Sequence, residues 1–231
     1  MTDFSQRMND QDRIGTIEKY QKSYAEHGYS PKALGWDKDR QDIRFEVILS
    51  HFKCSGKSIL DIGCGFGDLN RVLSRESKDS YEYLGVDLVE ELVDEGRSRY
   101  PQDNIRFLNA DFLEHSFNET FDIVVASGIF NHKFLSGEND LFVDRVLKKA
   151  WSLCNVGFAF DFLSDKVDYR HNHTYHNNPE YILRLAYGLS RNVALRNDYM
   201  PFEFCVYVGK DDSFSPSDAV FNTYKKSFEC S

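Results

Sequence analysis

The 231-residue chain is long enough for one large α/β domain with a substantial hydrophobic core. Its formal net charge of −9 argues against a protein that wraps nucleic acid, because such proteins ordinarily present a basic surface to the phosphates. It lacks an apolar secretory or membrane segment, and its five scattered cysteines lack the spacing of a zinc site or disulfide framework, so we expect a cytoplasmic protein.

The first 54 residues are predicted to form a helical cap and the helix that leads into the core. Residues 14–27 are polar with helical spacing, and we expect them to cover the edge of a sheet. Residues 41–52 form an amphipathic helix ahead of the first strand. The sheet is therefore expected to begin only after residue 54.

From residue 58 onward, short apolar runs alternate with helical stretches, which is typical of a parallel α/β sheet. The runs are continuously hydrophobic, so both faces of the sheet are expected to be covered by helices. The predicted strands are residues 58–62, 83–86, 105–108, 121–126 and 156–163. The helices that follow the first, second and fourth of them are residues 68–74, 90–100 and 138–154.

The pattern changes after the fifth strand. A polar loop at 165–178 and a helix at 179–189 precede two strands, at 193–198 and 202–208, whose three-residue turn requires antiparallel pairing. Residues 211–231 have low hydrophobicity and are predicted to be a tail. The domain division is therefore a cap at 1–54, a core at 55–210 and a tail at 211–231.

Three glycines follow the first strand at alternate positions, Gly63, Gly65 and Gly67, and lead into a helix. Glycine allows the backbone to approach a ligand closely. Asp87 ends the next strand, twenty residues after Gly67, where a carboxylate can bind the two hydroxyls of a ribose. Together these features predict an adenosine site.

The glycine spacing narrows the choice of cofactor. Dinucleotide-binding proteins use G-x-G-x-x-G, whereas this chain has G-x-G-x-G preceded by Asp61, which weakens the case for a pyrophosphate site. A phosphate-binding P-loop is excluded, because the triplet Gly56-Lys57-Ser58 precedes the strand instead of following it.

Residues 55–165 resemble the class I S-adenosylmethionine-dependent methyltransferases that act on small molecules. The similarity rests on four motifs in the family's order: LDIGCGFGDL from Leu60, GVDL from Gly85, NADF from Asn109 and FDIVVASG from Phe121. It implies a Rossmann-like, doubly wound α/β fold whose seven strands have the order 3-2-1-4-5-7-6, with strand 7 antiparallel. The implied cofactor is S-adenosylmethionine, with S-adenosylhomocysteine as its product.

The resemblance also implies roles for the residues around the first two motifs. Asp61 would lie near the methionine ammonium, and Asp87 would bind both ribose hydroxyls. Leu88 would pack against the adenine. The backbone beside the methionine part and the ribose would be that of Gly63, Cys64 and Gly65.

The later motifs supply the rest of the implied cofactor site. Asp111 would accept a hydrogen bond from the adenine amino group, and the Phe112 backbone would donate one to a ring nitrogen. Ser127 would line the wall beside the reactive methyl. In the cap, Tyr24 or Arg44 would hold the methionine carboxylate. Asp111 has the alternative interpretation of a helix cap.

The methyl acceptor is expected beyond the fourth and fifth strands, because the cofactor occupies the carboxyl ends of the first three. Phe130 would contact the acceptor, and His132 would be the candidate general base, since related small-molecule enzymes often have a histidine here. The alternative interpretation of His132 is that it only braces the loop.

The loop after Asp161 is predicted to form a substrate lid. It carries Tyr169, His171 and His173, and we expect these three and Asp161 to contact the substrate. With His176, the H-x-H-x-x-H spacing offers three metal ligands, but no cysteine or carboxylate pattern completes such a site. We therefore predict no metal.

The predicted function is S-adenosylmethionine-dependent O-methylation of a small natural product or sugar. N-methylation of a small amine remains an alternative. A protein or RNA methyltransferase is disfavoured, because Ser127-Gly-Ile-Phe130 replaces the asparagine-proline-proline-tyrosine type motif after the fourth strand. A non-catalytic S-adenosylmethionine-binding module is a further alternative, and nothing in the sequence indicates the oligomeric state.

Overall fold

The computed structural model describes residues 7–36, 40–77, 80–217 and 219–229. Within these residues seven strands form one sheet, close to the predicted strand positions. They are β1 (Lys57–Ile62), β2 (Tyr81–Asp87), β3 (Ile105–Asn109), β4 (Phe121–Ala126), β5 (Cys154–Leu163), β6 (Val193–Arg196) and β7 (Glu203–Gly209).

Helices precede the sheet, connect its strands and follow it. They are α1 (Asp10–His27), a short 3-10 helix (Pro31–Leu34), α2 (Gln41–Leu49), α3 (Leu69–Ser77), α4 (Glu90–Arg99), α5 (Asn139–Leu153), α6 (Pro179–Tyr187) and α7 (Asn222–Glu229). Two start signals match the structure. The Asn178 side chain accepts a hydrogen bond from the Tyr181 amide at the start of α6, and Pro179 occupies its first turn.

The strand order is β3-β2-β1-β4-β5-β7-β6, which confirms the predicted Rossmann-like arrangement. Strand β7 is antiparallel to both of its neighbours, and the remaining pairs are parallel. The chain winds outward from β1 in one direction and from β4 in the other. The carboxyl ends of β1 and β4 therefore border the switch point at which doubly wound sheets bind their ligands.

Both faces of the sheet are buried, as its continuous hydrophobic runs predict. In β4, Val124 and Ala126 pack on the side covered by α5, whereas Ile123 and Val125 pack on the side covered by α2 and α3. This alternation is the two-residue period of a strand. It anchors the carboxyl end of β4 between two cores and so fixes the position of the residues that follow Ala126.

The sequence predicted that the first helix covers the edge of the sheet, but α1 lies elsewhere. It spans the carboxyl ends of the strands, from α4 to the loop between β4 and α5. At one end Gln21 Nε2 donates to Glu91 Oε1 over 2.8 Å, and at the other Asp12 Oδ1 accepts from the Leu135 amide over 2.7 Å. These polar contacts, together with the packing of Tyr20 and Tyr24 against the apolar cluster around Phe66, hold α1 in this position.

The C-terminal segment is more structured than a tail. Phe214 and Phe221 form an isolated antiparallel bridge, and α7 follows. Low overall hydrophobicity did not predict this helix. Among the described residues, no helix is both long enough and apolar enough to cross a membrane.

Candidate active site

The turn after β1 can be formed only with glycine. Gly63, Gly65 and Gly67 all have positive φ angles, of 67°, 53° and 75°. A Cβ on Gly63 would lie 2.2 Å from Ile129 Cγ2, and one on Gly65 would lie 3.1 Å from the Leu34 side chain. The backbone of this turn is thus exposed to the cavity beside it.

Asp87 is held at the end of β2 by two backbone amides. Its Oδ2 accepts from the Gly65 amide over 2.8 Å, and its Oδ1 accepts from the Val89 amide over 3.0 Å. Burial raises the pKa of this carboxyl, and the backbone hydrogen bonds oppose that shift. Each oxygen keeps a further lone pair for a ligand hydroxyl, so this pre-organised carboxylate suits the two hydroxyls of a ribose.

A cavity of about 600 Å³ lies at the carboxyl ends of the strands, against this turn and Asp87. All of the cofactor contacts that the sequence predicted line it, except Tyr24. Its adenosine half, next to β2 and β3, contains Leu88, Asp111 and Phe112. Its other half lies next to the carboxyl ends of β4 and β5 and the amino end of β7, and we call it the acceptor half. It contains Trp36, Asn131, His132, Tyr169 and Phe202.

Asp61 is buried beneath the glycine turn, with 6% of its surface exposed. Tyr83 donates a hydrogen bond to its Oδ2 over 2.7 Å. Burial raises the pKa of Asp61 to about 7, against the effect of that hydrogen bond. A buried carboxyl of this kind would be stabilised in its charged form by a nearby cation such as an ammonium group.

Asp111 lines the cavity and has one carboxylate oxygen without a hydrogen-bond partner in the described part of the chain. Its Oδ1 accepts from the Leu113 amide over 2.8 Å, whereas its buried Oδ2 has no partner among the described residues. A buried carboxylate oxygen without a partner is costly, because its desolvation is not compensated. A ligand amino group would satisfy it, so the residues present fit an adenine.

Asp161 supports the cavity wall from behind, which corrects its predicted place among the substrate contacts. It is 1% exposed and lies outside the cavity lining. Its Oδ2 accepts from Ser127 Oγ over 2.6 Å, and its Oδ1 accepts from the Gly128 amide over 2.7 Å. Burial raises the pKa of Asp161 to about 6. It fixes the segment that faces the predicted methyl position.

Phe130 is likewise not a substrate contact. It is 1% exposed and stacks on Phe162 with ring centroids 4.7 Å apart. The chain turns at Gly128, whose φ is 78°, so that Ile129 and Asn131 line the cavity while Phe130 points into the core. The sequence places these residues together but does not indicate the direction of each side chain.

His132 lines the acceptor half, as predicted, but the residues around it do not favour its protonation. Its Nδ1 lies 3.3 Å from Lys19 Nζ of α1. Burial and the Lys19 charge lower the pKa of His132 to about 4. The ring is therefore neutral at physiological pH and a weak base, which disfavours the predicted role of general base.

The loop at 165–178 brings only part of the predicted lid to the cavity. Tyr169 and His173 line it, whereas His171 does not and instead stacks against His173 with ring centroids 5.5 Å apart. Both ring nitrogens of His176 are engaged, by the Ser164 carbonyl and Thr174 Oγ1. In the part of the chain that the structure describes, no group of three histidine, cysteine, aspartate or glutamate side chains is arranged to hold a metal.

The two residues predicted to hold the methionine carboxylate lie in different places. Tyr24 points away from the cavity and donates to Glu95 Oε2 over 2.7 Å, so the structure contradicts its proposed role. Arg44 lines the cavity, but Glu203 binds it in a buried bidentate pair, and its guanidinium lies 4.0 Å from the Trp36 ring centroid.

Several cavity residues carried no recognisable signal in the sequence. They come from α1, from the N-cap and first residue of α2, and from the turn before β7 and its first residue: Lys19, Tyr20, Arg40, Gln41, Met200, Pro201, Phe202 and Glu203. Each lies on an element assigned to the cap or to the antiparallel hairpin. Only the docking of these elements over the strand ends brings them to the site.

Known proteins resemble part of this chain in sequence and most of it in fold. Residues 59–150 match the family described as "Methyltransferase domain". The ubiquinone biosynthesis O-methyltransferase of Methylococcus capsulatus is 27% identical over 131 residues, which are 52% of this chain and 51% of the relative. A ubiquinone/menaquinone biosynthesis C-methyltransferase of Legionella pneumophila is 33% identical over 120 residues, covering 49% of this chain and 44% of that protein.

A solved structure extends the similarity to nearly the whole fold. Magnesium protoporphyrin IX methyltransferase from Synechocystis PCC 6803, with S-adenosylhomocysteine bound, superposes with a TM-score of 0.60. The alignment covers 87% of this chain and 96% of that chain at 12% identity, so it supports the fold alone. This chain spans about half the length of the Methylococcus relative. Residues 59–150 therefore match the methyltransferase-domain family, and the seven-stranded sheet of the described residues agrees with the fold of the superposed methyltransferase.

Proposed function

We propose that this chain binds S-adenosylmethionine and transfers its methyl group to a small-molecule acceptor, leaving S-adenosylhomocysteine. The observation that carries the proposal is the division of one cavity into two halves. The glycine turn, Asp87 and the unpartnered Asp111 Oδ2 fit an adenosine, and the acceptor half beside them has room for a second molecule.

The proposed cofactor contacts follow from the side chains at each position. Asp87 binds the ribose hydroxyls, Asp111 Oδ2 accepts from the adenine amino group, and Asp61 faces the methionine ammonium. Arg44 keeps its Nη1 for the methionine carboxylate, because Glu203 engages Nε and Nη2. The three aspartates are negatively charged when ionised, which complements the cationic groups of the cofactor.

When bound, S-adenosylmethionine supplies an activated methyl group: a lone pair of the acceptor bonds to the methyl carbon while the carbon–sulfur bond breaks and the sulfur keeps its electrons, and a hydroxyl acceptor releases its proton to solvent. The protein's own contribution is then mainly position. Asp161 fixes Ser127 and Gly128 in the wall between the two halves. Trp36 and residues of α1 line the same cavity.

Within this activity we propose O-methylation of a small natural product or sugar. Neutral His132 supports this choice as a hydrogen-bond donor to an oxygen, since its pKa of about 4 does not suit proton removal. Tyr169 and His173 form the part of the lid that contacts the acceptor. The relatives described above carry the names of an O-methyltransferase and a C-methyltransferase, so their names leave the methylated atom open.

Calorimetric titration tests cofactor binding, with S-adenosylmethionine, S-adenosylhomocysteine and NAD as ligands. We expect the first two to bind and NAD to bind more weakly, because the glycine turn lacks the pyrophosphate spacing. NAD binding of equal or greater strength contradicts the proposal. Mass spectrometry of reactions with hydroxyl, amine and carbon acceptors then identifies the methylated atom, and methylation restricted to nitrogen or carbon contradicts the O-methylation assignment.

A further inference from the structure

The acceptor half of the cavity contains a lysine, Lys19, for which the described residues provide no carboxylate partner. Lys19 extends from α1 into the cavity mouth, and its ammonium contacts His132 Nδ1 at 3.3 Å. No carboxylate of the described residues forms an ion pair with Lys19. Although Lys19 is exposed at the mouth, the surrounding protein removes enough water from its ammonium to lower its pKa.

The charges that line the cavity are segregated. Asp61, Asp87 and Asp111 all lie on the cofactor side, and the remaining lining acid, Glu203, is neutralised by Arg44. Besides Arg44, the lining cations are Arg40, just before α2, and Lys19, which contacts His132 in the acceptor half, in a chain whose formal net charge is −9. A cationic methyl acceptor would be repelled by this ammonium and by the positively charged sulfonium of the proposed cofactor.

The Lys19 contact also determines what His132 presents to the cavity. Because an ammonium can only donate, it donates to Nδ1, and the ring proton must then reside on Nε2. The groups acting on the His132 charge come from α1 and from the loop at 165–178: Lys19 and His173 disfavour protonation, and Asp12 favours it. The ring stays neutral, and its Nε2–H is a donor with no acceptor among the described residues.

We propose that Lys19, held in place by its hydrogen bond to His132 Nδ1, binds an anionic oxygen of the methyl acceptor with its remaining N–H groups, and that this oxygen belongs to a carboxylate or phenolate on a flat apolar body. This inference rests on the proposed function and names its substrate class. The single charge of Lys19 matches one negative charge better than a phosphate dianion. Trp36, Tyr169 and Phe202, which line the same half, supply faces for the flat body.

Binding of charge-matched probes to the protein saturated with S-adenosylhomocysteine tests this inference. The carboxylate arm compares 4-hydroxybenzoate with 4-hydroxybenzamide, and the phenolate arm compares 4-nitrophenolate with 4-nitroanisole at about pH 8, where the nitrophenol is ionised. We expect at least one of the anions to bind roughly tenfold more tightly than its neutral partner, the scale of one charge-assisted hydrogen bond. The arm that shows the preference identifies the anionic group.

Three variants assign the preference to Lys19. Lys19→Met removes the charge and should abolish it, whereas Lys19→Arg keeps the charge and should retain most of it. Lys22→Met is the matched control, because Lys22 lies one turn further along α1 with 79% of its side chain exposed. It should bind both members of each pair as the wild type does.

The inference is overturned if neither anion binds more tightly than its neutral partner, or if Lys19→Met keeps the wild-type preference. An equal loss in Lys22→Met would show that only the general charge of α1 matters, which also overturns it. Failure of S-adenosylhomocysteine to bind the wild type is a different result, because it contradicts the proposed function itself. Thermal unfolding of each variant confirms that the binding measurements concern folded protein.

Discussion

Tyr83 donates a hydrogen bond to Asp61 Oδ2 over 2.7 Å, and both residues are buried beneath the glycine turn. The pairing joins neighbouring strands, because Asp61 is on β1 and Tyr83 is on β2. This hydrogen bond holds the Asp61 carboxyl in place, and no cationic side chain among the described residues forms an ion pair with it. Burial consequently raises the pKa of Asp61 to about 7, and this shift affects stability.

Asp61→Asn should stabilise the protein at alkaline pH relative to the wild type. The folded pKa of about 7 exceeds the unfolded value of about 3.9, so the folded state binds more protons between them and wild-type stability falls as the pH rises through this range. Asparagine has no such loss and still accepts from Tyr83. We expect the stability difference between variant and wild type to shift in the variant's favour by on the order of 2 kcal/mol from about pH 4 to about pH 8.

Urea unfolding of both proteins across this range measures the difference. Asp94→Asn serves as the control, because the side chain of Asp94 is 61% exposed on α4. A wild-type-to-variant difference that does not depend on pH would show that Asp61 ionises normally.

Asp87→Ala should weaken S-adenosylhomocysteine binding by about 1.5 to 3 kcal/mol, the scale of hydrogen bonds to a charged group. The substitution also frees the Gly65 and Val89 amides that the carboxylate now accepts from. Calorimetry measures the affinity, and circular dichroism checks the fold. Unchanged affinity would mean that another acid binds the ribose.

Asp111 should make the site selective for the adenine amino group. The wild type should bind S-adenosylhomocysteine more tightly than S-inosylhomocysteine, in which a carbonyl replaces that amino group, because Asp111 Oδ2 would then face an oxygen. In Asp111→Asn the amide can rotate to donate or to accept, so the preference should fall by roughly tenfold. Equal binding of both ligands by the wild type would contradict the adenine assignment.

Asp161→Ala should lower the free energy of unfolding by about 1 to 3 kcal/mol, because Ser127 Oγ and the Gly128 amide lose their hydrogen-bond acceptor. Asp161→Asn should recover most of this loss, since its amide oxygen can accept from Gly128 and Ser127 can reverse its own hydrogen bond. In a methyl-transfer assay of the Ala variant, kcat should fall by a larger factor than the factor by which KM rises. A loss of equal size in the Asn variant would point to a requirement for the charge.

His132→Gln should leave the shape of the pH–rate profile unchanged above about pH 5.5, because the wild-type ring, with a pKa of about 4, is already neutral there. Glutamine retains an N–H donor, so its turnover should fall by less than about tenfold, while His132→Leu should lose more. The profile is measured with the acceptor found by product analysis. A wild-type limb near neutral pH that is absent from His132→Gln would restore the role of general base.

The general fold and the adenosine half of the site could be predicted from the sequence, because both depend on local patterns. Continuous apolar runs identify buried parallel strands, and the G-x-G-x-G turn followed by Asp87 specifies a backbone that approaches a ligand closely. Asp61 and Asp111 occur within the same motifs. Their buried environment did not follow from the motifs, nor did the pKa of Asp61.

The acceptor half was decided by tertiary contacts. Asp161 lies near the end of β5 and is buried behind the cavity wall, and Phe130 follows β4 but is directed into the protein by the turn at Gly128, while Asn131 and His132 face the cavity. The Arg44–Glu203 pair joins residues 159 positions apart, and the Lys19–His132 contact spans 113 positions. A sequence pattern can identify a strand end, but the partner of a side chain there depends on which distant element docks above it. The polar contacts of α1 place Lys19 over His132, and no local sequence pattern encodes that placement.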